Sequence, residues 1–231
     1  GRMKMMPGVY AVHRRYQELM GGRPLLQLSA RDQARGRQAL RALGVPERAW
    51  FVALHVREGG YLPQLAYHSY RDAEIANYLP AVQAIVDRGG WVIRLGDPTM
   101  KPLPRMERVI DYAHSPLRSD WLDVFFCGAC RFLLGTTSGP NIVSYVFGVP
   151  CVITNFTPLG YGAISQQDLW IPKRYRSVRE QRDLTFAEVL RSPVRSFGRT
   201  EDYQASGVAW IDNTPEELRE ECEAGELSLD A

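Results

Sequence analysis

Residues 50–56 are the feature that most constrains the fold, because apolar residues follow one another there almost without interruption. A strand with one wet face alternates polar and apolar residues, so a run of this kind indicates a strand buried on both faces, as in a parallel sheet. Three later segments repeat the pattern, at 91–97, 131–136 and 151–155. The sequence therefore predicts a parallel sheet with strands spread along the chain.

Helical patterns separate the predicted strands. Residues 72–88 repeat apolar side chains at three- and four-residue steps, which predicts an amphipathic helix. Other predicted elements are helices at 10–20, 30–43, 121–130, 138–147 and from Pro215, and a short strand at 109–112. Beyond residue 156 the chain is more polar, and we predict a loop-rich region there before the final helix. Strands alternating with helices predict an α/β fold, a Rossmann-like three-layer sandwich with a mostly parallel sheet.

Composition disfavours several classes of protein. The chain has 231 residues and a formal net charge of only +2, with no basic stripe of interleaved aromatic residues, so nucleic-acid binding is the weakest hypothesis. No apolar run reaches the ~18–20 residues of a membrane span. The first residues also lack the apolar stretch of a secretory signal. We therefore expect a cytoplasmic protein without a transmembrane segment.

The four cysteines are too few for a disulfide framework in a chain of this length. Cys127 and Cys130 form a C-x-x-C pair, but a zinc site needs a second pair, which Cys151 and Cys222 do not supply. We expect Cys127 and Cys130 to pack in the core as small apolar residues. No other metal-binding motif and no G-x-S-x-G hydrolase elbow occurs, so no metal site is predicted.

The strongest candidate site follows the third long strand, where small polar residues open a helix. Ligands of parallel sheets bind at the carboxyl ends of the strands, and the amide groups of a helix N-terminus attract phosphate. The candidate binding residues are Thr136, Thr137, Ser138, Gly139 and Asn141. We expect free backbone N–H groups near Ser138, Gly139 and Asn141, and hydroxyl donors from Thr137 and Ser138. The alternative is that Thr137 or Ser138 only caps the helix.

His55 and Arg57 end the first strand and, two residues apart, point to the same face. An arginine at the end of a buried strand is costly unless it meets an anion, and a diphosphate suits its forked guanidinium. The alternatives are a core histidine and, for Arg57, a salt bridge to Glu58, Asp72 or Asp97.

Three further polar residues follow predicted strands. His68 and Arg71 lie in the loop after the first strand and are candidates for contacting a donor or an acceptor. Asp97 follows the second strand and is a candidate for holding a ribose hydroxyl or orienting an arginine. Asp72, which follows Arg71, is expected only to cap the helix after it.

Four segments in order resemble the carboxyl-terminal domain of GT-B glycosyltransferases, above all a poorly characterised bacterial group. The segments are His55-Val56-Arg57-Glu58, Tyr70-Arg71-Asp72-Ala73, Thr136-Thr137-Ser138-Gly139-Pro140 and Asp168-Leu169-Trp170-Ile171-Pro172-Lys173. The resemblance covers roughly residues 45–195 and extends distantly to the fucosyltransferase superfamily. It implies a nucleotide-diphosphate sugar as donor, no cofactor and no metal. It also implies that Arg57, with His55, acts on the donor diphosphate.

The chain departs from that family at its start. Only about 45 residues precede the first strand, fewer than an acceptor domain needs. We therefore expect a lead-in or linker at 1–45, a nucleotide-sugar domain at 46–200 and a polar, helical extension at 201–231. The acceptor, whether glycan, lipid or protein, would need a separate domain. The alternatives are a sugar-nucleotide-binding module without turnover, a partial chain, and a GT-B-like sugar-nucleotide epimerase.

Overall fold

A six-stranded, all-parallel sheet forms the centre of the molecule. The computed structural model describes residues 9–21, 23–59, 63–162, 165 and 167–229. The strands are β1 (Phe51–His55), β2 (Trp91–Arg94), β3 (Val109–Ile110), β4 (Leu133–Gly135), β5 (Cys151–Phe156) and β6 (Leu169–Pro172). Their order is β3-β2-β1-β4-β5-β6, which confirms the predicted α/β, Rossmann-like fold. Across the sheet, the order in which the strands follow one another in sequence reverses between β1 and β4.

Helices cover both faces of this sheet and make three layers. In the described residues they are α1 (Val9–Met20), α2 (Ala30–Ala42), α3 (Leu79–Asp87), α4 (Asp120–Ala129), α5 (Gly139–Val146), α6 (Phe186–Arg191), α7 (Thr200–Ala205) and α8 (Pro215–Leu229). Successive side chains of β1 point to opposite faces of the sheet, and each face carries its own apolar cluster. Ala53 packs in the cluster that includes Phe126 of α4, whereas Leu54 packs in the one that includes Ile85 of α3 and Leu218 of α8.

The helix predicted at 72–88 is shorter than expected. Residues Pro63–Arg71 and Ile75–Tyr78 form 3₁₀ helices, and the α-helix begins only at Leu79. Pro80 occupies the first turn of α3. A proline has no N–H to bond to the carbonyl four residues earlier, so a continuous α-helix through residue 80 is disfavoured.

The region beyond residue 156, predicted to be loop-rich, contains more strands and helices than expected. β6 belongs to the main sheet, and a second, antiparallel sheet has the order β8-β7-β9, with β7 (Arg174–Ser177), β8 (Arg182–Asp183) and β9 (Val208–Ile211). β7 and β8 are short and polar, and in β7 only Tyr175 is buried. β6 and β9, by contrast, are short apolar runs, so the sequence does carry a local signal for these two strands.

Cys127 and Cys130 lie in the core as predicted. All four cysteines are buried free thiols. Burial raises the pKa of Cys127 to about 12 and also raises the pKa of Cys130. Cys222 lies on α8, which packs against α3 and β5. Within the described residues, no helix combines the length and apolar character that crossing a membrane requires.

Candidate functional site

The candidate site lies where β1 and β4 end side by side, at the reversal of strand order. His55 is opposite Gly135 in the pairing of these strands. Beyond the sheet, the amide of Thr136 donates to the His55 carbonyl at 3.1 Å, and the amide of Arg57 donates to Thr136 Oγ1 at 2.9 Å. Crevices that accept ligands in open parallel sheets form at such reversal points. The fold therefore brings the two strongest sequence signals together.

Ser138 connects these two strand ends through its side chain. Its Oγ lies 2.9 Å from His55 Nδ1, and its extended backbone places it as the N-cap of α5. Its amide donates to Asn141 Oδ1 at 2.7 Å. The Ser138 amide is therefore not free, which corrects the expectation from the sequence. The first-turn amide of Gly139 still lacks a partner within the helix, as helix geometry dictates.

Asn141 leaves one polar atom unpaired next to this turn. The residue has no solvent exposure, and its Nδ2 has no hydrogen-bond partner in the described part of the chain. A buried donor without a partner costs about 1–3 kcal/mol. An acceptor oxygen supplied from outside the chain would remove that cost.

His55 is uncharged at neutral pH. It is 9% exposed, and burial, reinforced by the charges of Arg94 and Arg57, lowers its pKa to about 4. A neutral imidazole with so low a pKa is a weak base. Its contact with Ser138 Oγ gives His55 a different task, which is to fix the direction of that hydroxyl.

Arg57 forms the ion pair that was its structural alternative. Its Nε lies 2.8 Å from Asp72 Oδ1, and the side chain is 21% exposed. Neither Nη1 nor Nη2 donates a hydrogen bond to any of the described residues. The Asp72 pair uses only one side of the guanidinium, so the terminal groups stay available to a second anion. The ion pair and a ligand contact are therefore compatible.

Lys173 is a site residue to which the sequence reasoning gave no role. It is fully buried directly after β6, and its Nζ donates at 2.6 Å both to the Asp72 carbonyl and to Asp212 Oδ1. Burial lowers its pKa. Lys173 thus holds together the segments that follow β1, β6 and β9. A lysine at the end of an otherwise apolar strand was the available signal.

Arg94 was also missed. It is fully buried on β2 and is held by Asp111 Oδ1 at 2.9 Å, Glu58 Oε1 at 3.2 Å and the Lys101 carbonyl at 3.1 Å. It contributes positive potential at His55. A charged residue inside the apolar run 91–97 was the signal, because such a residue must meet partners from elsewhere.

Three predicted binding side chains are used by the fold itself. Asp97 is 6% exposed, and its Oδ1 accepts from the amide and the hydroxyl of Thr99 at 2.8 and 2.5 Å. The Thr137 hydroxyl donates to the Thr157 carbonyl at 3.2 Å. Thr136 is fully buried, with its hydroxyl on the Arg57 amide. These contacts shape the turns around the site.

His68 and Arg71 lie on the 3₁₀ helix that follows β1, and both are half-buried. The His68 and Tyr67 ring centroids are 4.1 Å apart. Partial burial, then the charges of Arg71 and Arg57, lower the pKa of His68. This coupling places the three side chains in one electropositive group. Across the described ranges, no cluster of three or more His, Cys, Asp or Glu side chains could hold a metal.

The comparisons with known proteins do not identify the family. No family model and no curated protein matches the chain. Among solved structures it is similar to the glycosyl transferase family 9 protein from Veillonella parvula, with a TM-score of 0.46 and 12% identity. The superposition covers 64% of this chain and 42% of that chain, so this chain spans less than half of that length. A likeness so distant carries no function across.

Proposed function

We propose that this chain is the nucleotide-sugar-binding half of a glycosyltransferase, and that it binds the donor diphosphate at the ends of β1 and β4. One observation carries the proposal. Arg57, which follows β1, and the N-terminus of α5, which follows β4, both lie where the strand order reverses. A guanidinium and a helix N-terminus are both typical partners of phosphate.

The arrangement supports a role in catalysis as well as in binding. Negative charge develops on the departing diphosphate during sugar transfer, and donors fixed before the reaction stabilise that charge without reorganisation. Arg57 is held by Asp72, and the start of α5 is held by the contacts of Ser138 with His55 and Asn141. In this proposal these donors take the place of a divalent cation. Gly139 contributes its backbone amide, and Asn141 contributes its unpaired Nδ2, while the Asn141 amide stays in the capping box with Ser138.

A second candidate is a sugar-nucleotide-binding module without turnover. The low pKa of His55 favours it, because this histidine cannot serve as an efficient base at neutral pH. Donor binding is common to both candidates. Only sugar transfer to an acceptor distinguishes them.

The test is calorimetric titration with UDP, GDP, ADP and CDP, followed by Arg57→Ala. We expect one diphosphate to bind, and the substitution to weaken it by about 1.5–3 kcal/mol, the range for hydrogen bonds to charged groups. Arg57→Lys should restore little of the lost affinity, because a lysine lacks the forked guanidinium that binds two phosphate oxygens. EDTA should leave binding unchanged. Arg219→Gln on α8, an exposed arginine paired with Glu223, is the matched control.

Two results would contradict the proposal. Failure of every diphosphate to bind the unaltered chain would remove the donor site. Unchanged affinity in Arg57→Ala, together with a lower melting temperature, would make Arg57 only the structural partner of Asp72. A product assay with the matching nucleotide sugar then distinguishes a transferase from a binding module without turnover.

A further inference from the structure

Positive charge near Arg57 exceeds what the neighbouring carboxylates balance. Asp72 pairs with Arg57, and Asp212 pairs with Lys173. Arg71 has no carboxylate within 4.0 Å in the part of the chain that the structure describes. Burial raises the pKa of Asp72, and the charges of Arg57, Lys173 and Arg71 oppose that rise. Of the two guanidinium groups, only that of Arg57 therefore has a carboxylate of the described chain in contact with it.

Arg71 and His68 each carry a shielded nitrogen with nothing to bond to. Arg71 Nε and His68 Nδ1 are hidden from solvent, and neither has a hydrogen-bond partner among the described residues. The two residues are three apart on a 3₁₀ helix, where side chains at that spacing lie on the same side. Both unpaired nitrogens thus belong to one face of one short helix.

The rest of the protein holds this helix in place. Thr200, at the start of α7, accepts from the Tyr70 amide at 3.1 Å, and its hydroxyl lies 2.9 Å from Ser69 Oγ. The Tyr70 ring is buried, with its centroid 5.3 Å from that of Tyr203. His68 and Arg71 are therefore carried on a fixed segment rather than a loose surface loop.

The aromatic neighbour does not satisfy Arg71. Its Cζ lies 5.8 Å from the Tyr70 ring centroid, close to the ~6 Å limit for a cation–π contact. Such a contact uses no N–H group. A carboxylate or phosphate oxygen would satisfy both the charge and the hydrogen-bonding groups.

We propose that Arg71 and His68 form a second anion subsite, distinct from the diphosphate site, for a phosphate or carboxylate on the sugar acceptor. The inference rests on the proposed function, since the acceptor is the second substrate of that reaction. The acceptor class is then an acidic glycan, bearing phosphate or uronate groups. A neutral acceptor would leave the buried nitrogens unpaired, which is how polar sites reject analogues.

The experiment uses the full chain saturated with the diphosphate that binds best in the nucleotide panel. Glucose 6-phosphate, glucuronate and glucose are then titrated. We expect the two acidic sugars to bind at least about tenfold more tightly than glucose, as a charged hydrogen bond provides. Whichever acidic sugar binds more tightly shows whether phosphate or carboxylate is the natural group.

The decisive variant is Arg71→Gln. It should weaken the binding of glucose 6-phosphate about tenfold or more, and by a clearly larger factor than it weakens the diphosphate. His68→Asn should give a smaller loss of the same kind. Arg219→Gln again controls for the general loss of one positive charge, because α8 carries it as an exposed, paired arginine.

Three results would overturn the inference. The first is equal binding of glucose and the acidic sugars. The second is competition between glucose 6-phosphate and the diphosphate, which would place both anions in one site. The third is an equal loss of diphosphate affinity in Arg71→Gln. If no diphosphate binds, the acidic sugars are titrated into the free protein, so the subsite is judged separately from the proposed function.

Discussion

The two ends of the central sheet differ in what they leave unsatisfied. At the amino end, a cleft of about 500 Å³ runs between α2 and α4, and Leu28, Phe51, Phe125 and Phe147 help to line it. The buried Asp168 at this end has both oxygens occupied, by the amides of Cys151 at 3.0 Å and Ser165 at 2.8 Å.

The carboxyl end presents the opposite picture. There, Asn141 Nδ2, Arg71 Nε and His68 Nδ1 lack hydrogen-bond partners in the described residues, and the terminal nitrogens of Arg57 donate no hydrogen bond to those residues. The cleft at the amino end shows that open volume alone does not indicate a functional site. Buried polar groups that the fold fails to satisfy are costly, so their concentration at one end is the better guide.

The largest expected effect is that the two ends respond to pH in opposite directions. Burial lowers the pKa of His55 from 6.5 to about 4, so the unfolded chain takes up a proton there first. Stability from this group should fall as pH drops from about 6.5 to 4, by an amount on the order of 3 kcal/mol. Burial raises the pKa of Asp168 from 3.8 to about 7, so stability from that group should fall as pH rises from about 4 to 7.

Urea unfolding at several pH values would measure both effects. His55→Asn should abolish the loss on the acid side, and Asp168→Asn should abolish the loss toward neutral pH, each relative to the unaltered chain. If either variant keeps the pH dependence of the unaltered chain, that group titrates alike in the folded and unfolded states, and the contrast between the ends fails.

A pair of glycines gives the next largest effect. A Cβ on Gly36 of α2 would lie 2.0 Å from the buried ring of Phe125, whereas one on Gly139 of α5 would meet nothing within 4 Å. We expect Gly36→Ala to destabilise the fold by about 1–3 kcal/mol, as overpacking does. Gly139→Ala should not destabilise it. Denaturant midpoints measure both, and equal losses would show that the carboxyl end is as tightly packed as the helix pair.

The smallest effects concern ligand affinity at the start of α5. Gly139→Val should weaken diphosphate binding by crowding the open space there, with little change in melting temperature. Ser138→Ala should cost less, about 1 kcal/mol or below, because backbone donors remain. The measurement is diphosphate affinity well below the melting point. Losses of stability alone, without losses of affinity, would make this turn a plain helix cap.

The first two thirds of the chain could be read from its sequence because local signals agree there. The apolar run at 50–56 forms a strand buried on both faces, and the helix predicted at 30–43 is present as α2 (Ala30–Ala42). Part of the last third could not be read in this way. Its strand Arg174–Ser177 is polar in sequence and pairs with Val208–Ile211, more than thirty residues away.

The candidate site also has a part that local sequence signals predict and a part that they do not. The sequence by itself determined that His55, Arg57 and residues 136–141 follow buried strands, and strand direction alone then brings them to one edge. It could not determine that Asp72, Lys173 and Asp212 would link up beside them, because each belongs to a different segment.

Sequence patterns thus predict which residues end the strands, because a strand buried on both faces is a continuous run of apolar residues. The tertiary structure alone decided which polar atoms find partners. Ser138 Oγ is oriented by His55, 83 residues away, and the Thr137 hydroxyl is taken by Thr157. Arg71 Nε is left without a partner in the described chain. Hydrogen bonds depend on distances of a few ångströms between distant segments, and no local pattern encodes those distances.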